Sequence, residues 1–267
     1  MILLGGIDLS VGGIVSIATA LAATHFGHGG ARMVEWAVLI MLLGLAGGAV
    51  NGVLIARLRL QPFIVTLCGL LIYRGVARYY TNDGTAGFEF GQSFPTLEWL
   101  TTGRTLGVPH SFIMFLGVAA VMAVVLHRSV FGRYLFAVGK NEEAARYSGI
   151  RTGRIVAAAY IISGGLAGLS SIYLAMYTRS ISPASHGNFY ELYAIAAAVL
   201  GGCSLRGGEG SILGIVLGAI LLQILQNLVN LLGIPSSLNF AVMGTVILIG
   251  VVADQQLTRL RNRRARR

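Results

Sequence analysis

The sequence predicts an all-α fold, a polytopic membrane helix bundle with about eight apolar segments, some broken or re-entrant, and a weak internal repeat. Three observations predict it. Hydrophobic residues make up 55% of the 267 and charged residues only 11%, where a soluble domain carries roughly 25% charge. Mean hydropathy is +0.75. The shortage of charge is spread along the chain: apolar runs recur from residue 9 to residue 253, with charges collected between them. A bilayer core takes about 20 apolar residues per helix.

The predicted spans are 9–26, 36–56, 63–80, 108–127, 155–176, 190–202, 211–231 and 238–253. At the start of the first, Asp8 and Ser10 are candidate buried polar groups. An acid at that place also caps a helix and complements its positive end, and both readings stand. In the second, Gly44, Gly48 and Gly52 recur at helical spacing, and Asn51 is a further buried polar candidate. Glycines four apart bare the backbone on one face and let helices approach closely. The third contains Arg74 and Arg78. The fifth repeats the spacing with Gly164 and Gly168, and the seventh with Gly210, Gly214 and Gly218. The sixth has 13 residues, too few to cross alone. A broken helix there needs protein or a cavity to cover its backbone.

The seventh span also carries Gln223, Gln226, Asn227 and Asn230 at i, i+3, i+4 and i+7, one polar stripe. Amides in lipid need partners. Because they both donate and accept, they suit a neutral polyhydroxylated solute better than an ion. A ladder of interhelical hydrogen bonds is the alternative. The interior polar residues thus read mostly as amides rather than as ionisable pairs.

Between the fourth and fifth spans, Gly139 to Ile150 reads as a complete short helix. Asn141 is its N-cap, Glu142 and Glu143 occupy the positive first turn, Ala144 and Ala145 propagate it, and Gly149 stops it. Two turns are marginal alone, so the helix must dock on its own chain or on a partner. Segment 5–13, Gly-Gly-Ile-Asp-Leu-Ser-Val-Gly-Gly, echoes 201–208, Gly-Gly-Cys-Ser-Leu-Arg-Gly-Gly. Paired glycine-interrupted segments in two halves point to a transporter site between repeats.

Net charge is +10, but its placement speaks for topology rather than nucleic acid. Connections 57–62, 128–154 and 203–210 and the tail 254–267 hold fifteen of the twenty basic residues. That bias puts them, and the C-terminus, on the cytoplasmic side. Loop 81–110, with Asp83, Glu89, Glu98 and Arg104, then faces outside. Cys68 and Cys203 lie far apart and read as unpaired thiols. The five histidines fall near span ends or in loops, without metal spacing. No cleavable leader is expected from the opening Met-Ile-Leu-Leu-Gly-Gly. A membrane enzyme or an ion-driven carrier is therefore disfavoured.

Five stretches, GGIDLSVGG (5–13), PFIVTLCGLLIYRGVA (62–77), FGRYLFAVGKNEEAARYSGI (131–150), ELYAIAAAVLGGCSLRGGEGSILG (191–214) and NLVNLLGIP (227–235), resemble the permease subunits of ribose/xylose/galactose-type ABC sugar importers. They run in family order across nearly the whole chain. The resemblance implies a transmembrane permease domain over 1–253, a cytoplasmic coupling loop at 128–154 within it and a basic cytoplasmic tail at 254–267. It implies a bacterial inner-membrane protein that carries a pentose or hexose inward and performs no covalent chemistry. The partners it implies are a second permease subunit (a homo- or heterodimer), a cytoplasmic ABC ATPase, a periplasmic sugar-binding protein and the lipid bilayer, with no nucleic acid. No G-x-x-x-x-G-K-[ST] loop is present, so no cofactor is expected here and ATP belongs to the partner ATPase. In the family, the first motif follows a longer leader with at least one span, so that span is expected to be missing. The candidate translocation path is Asp8, Ser10, Asn51, Gln223, Gln226, Asn227 and Asn230. The candidate ATPase-coupling residues are Gly139, Asn141, Glu142, Glu143, Ala144, Ala145 and Gly149.

Overall fold

Small residues decide which helix takes the centre. Helix α1 (Ser10–His25) is built almost wholly from Gly, Ala, Ser, Thr, Val and Ile, and Ala18, Ala20 and Ala22 are fully buried. Around it pack α2 (Arg32–Leu58), α3 (Pro62–Tyr80) and α8 (Thr152–Thr178). The structure is a computed structural model describing residues 1–25, 32–88 and 94–233, with isolated helical positions between 238 and 252. The predicted span 238–253, the tail 254–267 and Glu89 lie outside the described residues apart from those positions.

The glycine spacing has the predicted consequence. A Cβ on Gly44 would strike the Gly164 carbonyl, one on Gly48 the Tyr160 carbonyl, and one on Gly52 would come 2.9 Å from Ala157 Cα. Helices α2 and α8 therefore touch backbone to backbone, the contact that replaces hydrophobic drive between helices in lipid. At one end of the bundle, Phe94 and Leu97 of α4 (Pro95–Thr102) and its approach close over Ala22, Ile40, Ile172 and Met176.

The remaining long helices are α5 (His110–His127) and α10 (Ile212–Leu231). Among the described residues four helices, α2, α5, α8 and α10, are long and apolar enough to cross a membrane. Helix α9 (Tyr190–Leu200) has 11 residues, about 16 Å of helix at 1.5 Å per residue, matching the short sixth segment. It packs tightly on α10: Cβ atoms on Gly214 and Gly218 would strike the carbonyls of Gly201 and Ala197.

Connection 128–154 holds two helices rather than one. Besides α7 (Glu142–Tyr147) it forms α6 (Val130–Lys140), which starts where the Ser129 hydroxyl accepts from the Gly132 N–H at 3.1 Å. Its buried positions Gly132, Leu135 and Val138 follow helical spacing, with polar residues opposite. Gly139 consequently lies in the last turn of α6, not ahead of a helix.

The basic connections gather at one end. Arg59 to Pro62, Glu142, Glu143, Arg146 and Gly5–Gly6 line one polar cleft. At the other end Ala86–Gly87 pairs with Ser180–Ile181, and Arg179 bridges Glu98 at 2.6 Å. Connections 57–62 and 128–154 thus lie opposite 81–110, as the charge bias requires.

Candidate functional site

The first turn of α1 is a polar hub inside an apolar bundle. Asp8 Oδ1 accepts from the Ser10 N–H at 3.1 Å and the Ser10 hydroxyl at 2.6 Å. Its Oδ2 accepts from the Ser163 hydroxyl of α8 at 2.8 Å. Asn51 of α2 donates to Ser10 Oγ at 2.8 Å, and Thr66 of α3 donates to the Ile7 carbonyl at 3.3 Å. Asp8, Ser10 and Asn51 are all buried. Both readings of Asp8 meet here: one oxygen closes the start of the helix, and the second ties α1 to α8. A fully satisfied network of this kind fixes the relative positions of its helices.

Asp8, Ser163 and Glu191 are polar residues on the wall of a cavity of about 430 Å³ between α5, α8, α9 and α10. Its other walls are largely apolar, Phe115, Met122, Phe131 and Leu166 among them. Size and character fall within the range of small-molecule sites. Ser10 and Asn51 stand behind Asp8 rather than on this wall.

The amide stripe does not join the hub. Gln223, Asn227 and Asn230 are exposed and Gln226 is half-buried, while Leu222 and Val229 turn inward. None of the four amides has a hydrogen-bond partner among the described residues. They lie on the outer face of α10, amid exposed Leu217, Leu221, Ile224 and Leu228.

The two glycine-rich segments do come together. The Gly208 N–H donates to the Leu3 carbonyl at 2.8 Å, and a Cβ on Gly5 would meet the Arg206 carbonyl at 3.3 Å. Gly139 closes the junction, because a Cβ there would strike the Leu3 carbonyl and approach Gly208 N at 2.8 Å. The last turn of α6, the segment leading to Asp8 and the loop leading from α9 to α10 thus share one backbone contact.

Helix α7 follows the predicted caps. Asn141 Oδ1 accepts from the Ala144 N–H at 2.9 Å, and Gly149 ends the helix at φ +84°. Ala145 is buried against the helix's own chain, whereas Glu142, Glu143, Ala144, Arg146 and Tyr147 face outward. Asn141 and Gly149 are exposed as well. Burial of one small apolar residue lets so short a helix persist, and its outer face is exposed.

Sequence reasoning gave no role to Ser163, Arg74 or Glu191. Glu191 is buried in the first turn of α9, with its Oε2 unpaired and packed against Gly12. Arg74 donates from Nη2 to the Gly187 carbonyl at 3.2 Å and leaves a buried Nε unpaired. Two ionisable side chains thus stand in the bundle beside the amides expected from the sequence, and no ion pair joins them among the described residues. The legible signal was an acid at the head of a short apolar run. Cys68 is exposed, Cys203 is buried, and both are free.

The chain matches the family described as branched-chain amino acid transport system / permease component over residues 1–251. The ribose import permease protein RbsC of Escherichia coli strain K12 is 41% identical over 257 residues, which cover 96% of this chain and 79% of the relative. The ribose import permease of Bacillus subtilis strain 168 is 38% identical over 260 residues, 96% of this chain and 78% of the relative. The galactofuranose transporter permease protein YtfT of Escherichia coli K12 is 34% identical over 254 residues, 94% and 72%. No solved structure matches.

Proposed function

The chain belongs to the branched-chain amino acid transport system / permease component family, and from that premise we propose that it is the membrane-spanning subunit of an ATP-driven importer carrying a monosaccharide, pentose or hexose, into the cytoplasm. The observation that carries the reading is 41% identity to a ribose import permease across 96% of this chain. The chain itself does no covalent chemistry. ATP is hydrolysed on a separate ABC ATPase, and a sugar-binding protein delivers the solute from outside. The basic end and the C-terminus face the cytoplasm of a bacterial inner membrane, as the arginine and lysine bias favours.

The geometry supports a route for coupling. The outward face of α7 receives the ATPase. Movement of α6–α7 passes through Gly139 to Gly208, and so to the loop that joins α9 and α10, while the segment that carries Asp8 stays with the fixed helices. The amide stripe requires polar company in the bilayer. A second permease subunit opposite α10 supplies it, and the route for the hydroxyl-rich solute runs along that seam.

Reconstituting the chain in vesicles with its ATPase and binding protein tests the reading. ATP-dependent uptake of a labelled pentose or hexose is the expected result. Uptake that persists without ATP, or that follows an ion gradient instead, would overturn it.

A further inference from the structure

Four buried side-chain atoms lack hydrogen-bond partners among the described residues: Arg74 Nε, Tyr160 Oη, Tyr173 Oη and Glu191 Oε2. Two of the four belong to opposite charges brought close by one backbone group: a Cβ on Gly12 would meet both Glu191 Oε2 and the Gly187 carbonyl, and Arg74 Nη2 donates to that carbonyl at 3.2 Å. Yet the ion pairs among the described residues are Arg78–Asp83 and Arg179–Glu98, so Arg74 and Glu191 stop short of contact. Buried polar groups are nearly always satisfied, and an exception calls for a reason. An ionisable residue within the membrane normally has a partner. Here each charge has its partner in view and does not reach it.

Both groups are held where a modest movement would join them. Arg74, on α3, is held by its bond to the Gly187 carbonyl just ahead of α9. Glu191 rides on α9, a short rod bounded by left-handed residues: Gly187 at φ +74° and Phe189 at +63° before it, Gly202 at +83° after it. For a bulky residue such as Phe189 that conformation is strained, and loop residues of this kind absorb hinge motion. Because α9 packs on α10 through the backbone at Gly214 and Gly218, the two helices move as one body, and α10 carries the amide stripe. On the other side, α1, α2 and α8 are fixed to one another by the Asp8 hub and by the glycine contacts.

We propose that Arg74 and Glu191 are positioning residues of the transport cycle, a charge pair open in this conformation and closed in the alternate one, which seats the α9–α10 unit against α1 and α3. The proposal rests on the transport reading above. It assigns to the pair the coupling of uptake to hydrolysis rather than the binding of sugar. Neutralising Glu191 with its near-isostere Gln removes the closed state and leaves the open conformation, in which the pair is unmade, largely intact; Arg74→Gln removes the same charge pair together with the bond to the Gly187 carbonyl.

The test uses the reconstituted complex of permease, ATPase and binding protein. Wild-type uptake comes first: if no pentose or hexose moves with ATP, the transport reading fails and the pair is not the reason. Given uptake, Glu191→Gln and Arg74→Gln should each lower the sugar carried per ATP hydrolysed by about tenfold, a typical size for coupling between two sites. The exchanged double variant Arg74→Glu/Glu191→Arg should regain a substantial part of that ratio, since paired residues are non-additive. A wild-type ratio in both single variants would overturn the proposal. So would single losses that the exchange deepens. Failure of all three variants to yield folded protein would also overturn it, by assigning the pair to packing alone.

Discussion

Two buried acids flank the first turn of α1, and the bundle treats them differently. Asp8 has both oxygens occupied, accepting three hydrogen bonds from Ser10 and Ser163. Glu191, across Gly12, has an oxygen with none. The elements behind them differ in the same sense. Helices α2 and α8 meet through glycine; α8 holds Asp8 through Ser163 and α2 holds its partner Ser10 through Asn51, whereas α9 is a short rod between left-handed turns. Burial alone therefore does not make a charge structural. What distinguishes the two is whether the surrounding helices can deliver donors without moving. Asp8 belongs to the frame of the molecule and Glu191 to the part that moves against it.

The sharpest way to break the fixed side is to separate α2 from α8. Gly48→Leu places a side chain on the Tyr160 carbonyl and should abolish folded, monodisperse protein, well beyond the 1–3 kcal/mol usual for overpacking. Size-exclusion chromatography after detergent extraction reads this directly. Next in size is Asp8→Leu, which strips an acceptor from the Ser10 N–H and from the Ser10 and Ser163 hydroxyls. Leaving several buried donors unsatisfied should cost about 3 kcal/mol or more, measured by unfolding in mixed detergent. Ser163→Ala should cost less, about 1–3 kcal/mol for the carboxylate oxygen left unsatisfied. The amide stripe sharpens the comparison from the moving side. Gln226→Leu should change stability by no more than about 0.6 kcal/mol, the mean for an interhelical bond in lipid, while cutting uptake. Normal uptake in that variant would remove the stripe from the route. Smallest is an effect on reactivity. Burial pushes the Cys203 thiol up, so less of it is thiolate at neutral pH than the ordinary value of about 8.5 gives. Alkylation of Cys203 should be slow in the folded protein and rise on denaturation.

Much of the frame was readable in the sequence, because its signals are local. Glycine at i, i+4 and i+8 in 44–52 and again at 164–168 specifies backbone contact whatever the partner. Asn141 through Gly149 carry caps that act within one turn. Charge placement separates the two ends. The site was only half legible. Asp8, Ser10 and Asn51 were marked as polar residues in apolar surroundings, but Ser163 carries no local signal, since a serine inside an apolar helix is common. Glu191 and Arg74 gain their meaning from distance in space: α3 and α9 approach only through the packing of α1 between them. Helix α6 escaped notice because its apolar spacing is interrupted by Gly132 and Arg133. The outward position of the amide stripe could not be read from periodicity, which gives a shared face but not its direction.

Amide hydrogen exchange, followed by mass spectrometry on the reconstituted transporter with and without ATP, sugar and binding protein, tests the division between frame and moving part most directly. Exchange reports local opening segment by segment. The account predicts that turnover changes protection across 186–202 and the neighbouring start of α10, while 10–20, 40–52 and 160–170 stay equally protected in both conditions. Turnover-dependent exchange in the α1–α2–α8 segments, with 186–202 unchanged, would contradict it.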